Sequence, residues 1–307
     1  MKSIKGGDIL TYIDLHVHSN ASDGTCTPAH LVDEAYRQGL SAFALTDHDT
    51  ISGIKEANHR AEQLKQSGKV ISVIPGVELS VEYPKKDIHI LGLMIDIENE
   101  AFCKALEAAQ QEREQRNLHM INNLAEAGID ISMEKLRAAE GNAILTRAHF
   151  AKYLLEHGYV TSAQEAFRKY LGEDGPYYVP RKYISPKKAI QLILEADGIP
   201  VLAHPLLYKL PKDELETFIS QLKSYGLVGI ETIYSSNMGF DEGYVRGLAN
   251  RFGLLMTGGS DFHGKNKPLI SLGSGRGNLK VPKSILDHLI NFKKNELKHH
   301  KAKYLFH

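Results

Sequence analysis

Short apolar runs alternate along the chain with longer segments whose apolar residues recur at helical spacing. Residues 12–18 alternate like a half-buried strand and stop at the polar stretch 19–24. Thr27 and Pro28 then supply an N-cap and a first helical residue, and Gly39 a stop. Residues 41–46 read as a short buried strand, followed by a helix over about 51–67 that ends before Gly68. Residues 70–74 with 77–79 make a third strand region and 88–93 a fourth, while 199–203, 229–233 and 254–257 make three more. Helical periods occupy about 186–196, 212–225, 241–252 and 282–294.

Strand–helix alternation of this kind predicts an α/β fold with a mostly parallel sheet. About seven strands, with polar motifs repeatedly at their C-terminal ends, point to a barrel whose chemistry collects at that rim. An open doubly wound sheet is the weaker reading, because no Gly-rich dinucleotide fingerprint accompanies it. Residues 97–185 break the alternation. There Phe102, Leu106 and Ala109, then Leu118, Ile121 and Leu124, then Phe150, Tyr153 and Leu154 recur at helical spacing. The expected organisation is a barrel from 1–96 and 186–307, with 97–185 as a helical insertion over its mouth. The terminal Lys-His-His-Lys-Ala-Lys-Tyr stretch reads as a solvated end.

Bulk composition narrows the function. Lys+Arg and Asp+Glu both number 37 among 307 residues, so no broad electrostatic grip on long nucleic acid is expected. Cys26 and Cys103 alone do not make a disulfide framework and suit a reducing cytoplasm. No signal-peptide core and no membrane-spanning run is expected, and no obligate protein partner is evident.

The candidate chemistry lies at the strand ends. In order these are Asp-Leu-His16-Val-His18, Ser-Asp23-Gly, Thr-Asp-His48-Asp-Thr, Gly-Val-Glu78-Leu-Ser, Ile-His89-Ile-Leu-Gly, Ala-His204-Pro and Ser-Asp261-Phe-His263. Strand residues two apart project from one face, so His16 and His18 can serve one ion together, as can Asp261 and His263. Asp47 or Asp49 could orient His48. Glu78, after an apolar run, would be costly to bury unpaired, and bridging two cations would remove that cost. His89 interrupts an apolar run, where a core histidine is the usual explanation for such a residue taken alone. Nitrogen and oxygen donors without thiolate suit Mn²⁺, Fe²⁺ or Zn²⁺, and such clusters in enzymes usually hydrolyse phosphate esters.

Taken together, these motifs resemble the PHP (polymerase and histidinol phosphatase) superfamily of metal-dependent phosphoesterases, over about residues 12–93 and 199–264. The resemblance implies a distorted seven-stranded (β/α) barrel with a trinuclear site. His16, His18, Glu78 and Asp261 would hold one ion. Glu78 as a bridge with His89 and His204 would hold a second, and Asp23, His48 and His263 a third. The ligands would hold the water that attacks, with no separate catalytic side chain assigned.

The insertion and its Thr-Arg147-x-His149 phrase are similar to the subgroup that removes the 3′-phosphate of nucleoside 3′,5′-bisphosphates, some members of which trim short RNA from the 5′ end. On that resemblance Arg147, His149 and Arg181 are the substrate-binding candidates, with Ser80 a weaker one. The partner expected is a small nucleotide or a short RNA. Histidinol-phosphate phosphatase and a non-catalytic metal-binding module are the alternative readings.

Overall fold

Polar residues buried within a strand mark a site, and the first strand already holds two. In β1 (Tyr12–Val17) every residue but Tyr12 is buried, Asp14 and His16 included. The computed structural model describes residues 11–83, 87–172, 175–180 and 184–305. Thr27 caps α1 (Pro28–Arg37) by accepting from the His30 N–H, as the Thr-Pro pair predicts. The chain then runs through β2 (Leu40–Leu45), α2 (Ile54–Gln66), β3 (Ser72–Val81) and β4 (Ile88–Leu93).

A helical segment follows: α3 (Glu100–Glu126), α4 (Met133–Glu140), α5 (Arg147–Glu156) and α6 (Ala163–Ala166), the last running into a π turn at Phe167–Leu171. The second half alternates α7 (Pro186–Glu195), β5 (Ile199–Leu202), α8 (Lys212–Tyr225), β6 (Gly229–Tyr234), α9 (Asp241–Phe252) and β7 (Leu255–Gly259). It ends in β8 (Val281–Pro282), α10 (Lys283–Asn295) and α11 (Leu297–Leu305).

The sheet order is β7-β6-β5-β4-β3-β2-β1-β8. A seam between β1 and the end of β7 nearly closes it into a barrel. His18 N–H donates to the Phe262 carbonyl at 2.9 Å, and Asp261 N–H to the His16 carbonyl at 2.8 Å. Gly259 makes this approach possible, since a Cβ there would sit 2.3 Å from the His16 Cβ. Buried Asp14 ties the seam from below by accepting from the N–H groups of Ser260 and Gly273, both at 2.8 Å. Burial pushes its carboxyl up to about 6, against the hydrogen bonds from Ser260 that favour the charged form.

Two expectations need correction. Among the described residues there are eight strands, because the two-residue β8 pairs antiparallel with the start of β1. The barrel is also mixed: β1–β2, β2–β3, β5–β6 and β6–β7 are parallel, but β4 is antiparallel to both β3 and β5. The link between β3 and β4 is too short for a crossover helix, so the chain must turn straight back. His89 therefore reaches the shared rim from the N-terminal end of its strand, not the C-terminal end.

The helical segment has its own apolar cluster, in which Met120, Ile121 and Leu124 of α3 meet Leu136, Phe150 and Leu154. Leu118 is exposed and Ala109 only partly buried, so the α3 stripe is rotated from the expected one. The terminal stretch is exposed at Lys298, His299, Ala302 and Lys303, as expected, but it is also anchored. It forms α11, with Leu297 buried and His300 Nε2 2.8 Å from the Gly226 carbonyl. No helix among the described residues is long and apolar enough to cross a membrane.

Candidate metal centre

All nine sequence-derived ligand candidates meet in one pocket at the barrel rim, centred on Glu78. Its Oε1 lies 2.9 Å from His89 Nδ1 and 3.0 Å from His204 Nε2. Its Oε2 lies 3.3 Å from His16 Nε2, 3.2 Å from His18 Nε2 and 3.3 Å from His48 Nδ1. The two oxygens thus face different histidine sets, the disposition a bridging carboxylate requires. Asp23 gathers a second group: Oδ1 is 3.7 Å from His18 Nδ1 and 3.2 Å from His263 Nε2, and Oδ2 is 3.7 Å from His48 Nε2. Asp261 Oδ1 lies 3.7, 3.5 and 3.3 Å from the nearest nitrogens of His16, His18 and His263.

This donor set fits cations. Apart from these close approaches to carboxylate oxygens, His16 Nε2, both His18 nitrogens, His48 Nδ1, His89 Nδ1 and His204 Nδ1 are buried without a well-formed hydrogen bond among the described residues. Buried imidazole nitrogens are costly to leave so, and metal coordination would satisfy them. Three groupings place their donor atoms within 4.8 Å of one another: His18, Asp23, His48 and His263; His16, His18 and Glu78; His48, Glu78 and His89.

Charge in the pocket is strongly coupled. Burial opposes ionisation of Glu78, yet His89, His16 and His48 hold it well below the usual carboxylate range. Asp23, likewise buried, is held low by His48 and His263, and Asp261 by Lys267 and His263. Burial would also lower His89, but Glu78 and Asp87 raise it to about 10. Against the same burial, Glu231, Glu78 and Asp261 raise His16 well above its ordinary value. His18 is driven well below it, by burial and by the neighbouring His263.

The expected orienting role of Asp47 and Asp49 toward His48 is not what the structure displays. Asp47 accepts from the Ser19 N–H and hydroxyl and from the Ser22 hydroxyl, which organises the loop carrying Asp23. Asp49 forms a buried ion pair with Arg113 and accepts from the Ser80 N–H at 3.3 Å. Other residues around the ligands lie outside the sequence-derived set. Glu231 Oε1 is 3.1 Å from His16 Nδ1. The Tyr234 hydroxyl donates to Asp261 Oδ2 at 2.7 Å, and Lys267 Nζ to the same oxygen at 2.6 Å.

A cavity opens beside the ligand candidates, with Asp23, His48 and His89 on the barrel side and Arg113, Arg116 and Arg147 on the helical side. Arg147 begins α5, pairs with Asp87 at 3.0 Å and lies over the Tyr178 ring at 5.6 Å. Asp87 in turn is 3.3 Å from His89 Nε2. Ser80 also lines the cavity, 3.4 Å from Arg113 Nη2. His149 sits differently: it is buried, and its Nδ1 accepts from the Thr146 N–H at 2.9 Å, completing the N-cap of α5. Arg181 lies outside the described residues.

Arg113 and Arg116 were missed by sequence reasoning, though a signal exists. With Asn117 they fill buried positions of α3 between Leu106 and Met120, where the apolar stripe would otherwise continue. Thr146 was missed too; its hydroxyl donates to Asp23 Oδ2 at 3.0 Å, joining the helical segment to a ligand candidate.

Comparison with known proteins agrees with this geometry. A Haemophilus influenzae "5'-3' exoribonuclease" is 35% identical over 84% of this chain and 94% of its own length. A Chromobacterium violaceum "3',5'-nucleoside bisphosphate phosphatase" is 35% identical over 83% and 88%. Among solved structures, a Bifidobacterium adolescentis protein assigned as a metal-dependent phosphoesterase superposes with TM-score 0.80 at 27% identity, over 92% of this chain and 96% of that one. The PHP domain model matches residues 14–175, slightly more than half of the chain. The chain therefore belongs to the PHP family and is a metal-dependent hydrolase.

Proposed function

We propose that the chain removes the 3′-phosphate of nucleoside 3′,5′-bisphosphates, releasing nucleoside 5′-phosphate, and trims short 5′-phosphorylated RNA at the same site. The observation that carries this reading is the cavity in which Arg113, Arg116 and Arg147 face the ligand cluster. A substrate with two phosphates suits such a site: one goes to the ligand cluster and the other to the arginines. Guanidinium groups present forked donors that match phosphate oxygens. The names of the Haemophilus and Chromobacterium relatives support the same substrate class.

His16, His18, Asp23, His48, Glu78, His89, His204, Asp261 and His263 would hold three divalent ions, with Mn²⁺ the first candidate and Fe²⁺ or Zn²⁺ the alternatives. Bound there, the ions would neutralise phosphate charge and lower the pKa of water toward 7. The protein's own share is placement. Glu78 keeps both oxygens available, Arg147 holds the distal phosphate, and Ser80 borders the same space. Residues 97–185 act as a cap that limits water and fixes the substrate's length, which turns remote binding into orientation. In this reading His149 supports Arg147 by capping its helix, and Arg181 adds to the grip.

The test is a parallel assay with Mn²⁺ of a nucleoside 3′,5′-bisphosphate, histidinol phosphate and a 5′-phosphorylated short RNA. The bisphosphate should be turned over fastest, with phosphate released from the 3′ position. Preference for histidinol phosphate, or release of the 5′-phosphate, would overturn the assignment.

A further inference from the structure

Strand β6 supplies none of the nine ligand candidates, yet two of its side chains hold two of them. Residues three apart in a regular strand point to opposite faces. Here the pairing with β7 slips between Glu231 and Ile233, so Glu231 and Tyr234 both reach the ligands. Bulges commonly re-aim side chains beside active sites.

We propose that Glu231 and Tyr234 are positioning residues that set metal affinity by fixing which atoms of His16 and Asp261 face the ions. The proposal rests on the reading of His16 and Asp261 as ligands.

Glu231 is 1% exposed, and both of its oxygens are engaged: Oε1 lies 3.1 Å from His16 Nδ1, and Oε2 accepts the His204 backbone N–H at 2.8 Å. A carboxylate accepts and does not donate, so when His16 is a neutral imidazole, the form a metal requires, its proton is kept on Nδ1 and the lone pair on Nε2. Nε2 is the atom that faces Glu78 and Asp261. The second oxygen steadies a strained turn, because His204 has φ 25° and ψ 58° while its Nε2 lies 3.0 Å from Glu78. One carboxylate thus orients two candidate ligands from two strands. Tyr234 acts alike on Asp261. With Lys267 it occupies Oδ2, leaving Oδ1 for the histidine side. Carboxylate support of this kind is typical of metal-binding histidines.

Glu231→Gln sharpens the test. The His204 N–H still needs an acceptor, so the single amide oxygen goes there and the NH₂ meets His16 Nδ1. That favours the tautomer with a proton on Nε2, which cannot bind metal. The full-length protein is stripped and titrated with Zn²⁺ or Mn²⁺ against a chromophoric chelator. Glu231→Gln should weaken the tightest site about 10- to 100-fold. Tyr234→Phe should weaken it about fivefold, the equivalent of one hydrogen bond. Glu231→Asp, which keeps the charge, should recover part of the loss.

In ¹⁵N-histidine spectra of the Zn²⁺-loaded protein, the His16 Nδ1–H signature should vanish in Glu231→Gln. A merely structural role would lower the melting temperature of the metal-free protein and leave affinity and tautomer alone, and that result overturns the proposal. His16→Ala separates the two readings. If it weakens binding while Glu231→Gln does not, the positioning role fails and the ligand reading stands. If His16→Ala leaves affinity unchanged, the ligand reading fails and takes the proposal with it.

Discussion

The two sides of the cavity are built on different terms. On the barrel side, short side chains are held by the sheet: His16 in β1, His18 directly after it and Glu78 in β3 paired to β4 are all at most 1% exposed. On the helical side, long arginine side chains reach in from α3 and α5, and Arg147 already holds Asp87 and the Leu171 carbonyl. A cluster of cations needs donors whose separations do not change. A phosphate on a variable substrate needs a grip that can adjust, and long guanidinium side chains supply it. On the proposed reading, the difference teaches that the wall would set the chemistry and the helices what is presented to it.

The sharpest way to break this division is Glu78→Gln. It removes the central charge while keeping the shape of the side chain. If the ions stabilise the transition state by on the order of 4 kcal/mol, activity should fall about a thousandfold, with metal content reduced in parallel. Elemental analysis beside steady-state kinetics checks it. A fully active variant would remove Glu78 from the centre.

Arg147→Ala tests the other side. Charge-assisted hydrogen bonds are worth about 1.5–3 kcal/mol, so kcat/KM for a 3′,5′-bisphosphate should drop roughly 10- to 100-fold with metal content unchanged. For a 3′-monophosphate, which has no second phosphate to hold, the drop should be much smaller. Equal losses on both substrates would mean that Arg147 does not grip the distal phosphate.

How far the sequence discloses each side follows the same division. The ligand candidates of the wall stand in brief motifs at strand ends, where a polar residue after an apolar run is conspicuous. Glu231 gives the same signal inside Gly-Ile-Glu-Thr-Ile-Tyr, but the bulge that lets Tyr234 join it follows from pairing with β7 and has no local mark. The reversal of β4 is readable in principle, because its link to β3 is shorter than any crossover.

On the helices the signal runs the other way. Arg113, Arg116 and Asn117 are polar residues in buried positions, and reading apolar spacing alone passes over them and shifts the stripe to Leu118. His149 has the spacing of a capping-box partner to Thr146, which is where the structure places it.

At the seam the expected effect is on stability. Gly259→Ala puts a methyl within 2.3 Å of the His16 Cβ and 2.5 Å of its backbone nitrogen, and neither is the flexible end of a side chain. Overpacking of this kind costs about 1–3 kcal/mol, a melting-temperature loss of roughly 2–5 °C for a chain of this length. Metal affinity should fall as well, since His16 must move. A variant with unchanged melting and affinity would mean that the β1–β7 seam has slack.

The smallest expected effect is a pH slope, and its sign separates the metal-free from the loaded protein. In the metal-free pocket His89 is raised to about 10 by Glu78 and Asp87 against the effect of burial, and His16 is raised in the same direction. The folded state then holds protons that the unfolded chain releases near 6.5. The stabilisation from His89 is therefore complete below that pH and is lost as pH climbs toward 10. A metal ligand must be neutral, so loading expels the His89 proton, and affinity should increase about tenfold per pH unit for each proton displaced. Glu78, Asp23 and Asp261 already lie low and His18 is already neutral, so none of them adds to the slope near pH 8. Calorimetric titration in buffers of differing ionisation enthalpy counts the protons released. Between pH 7 and 9 the metal-free protein should lose thermal stability while metal affinity climbs. A flat affinity profile would mean that His89 and His16 are not where the ions bind.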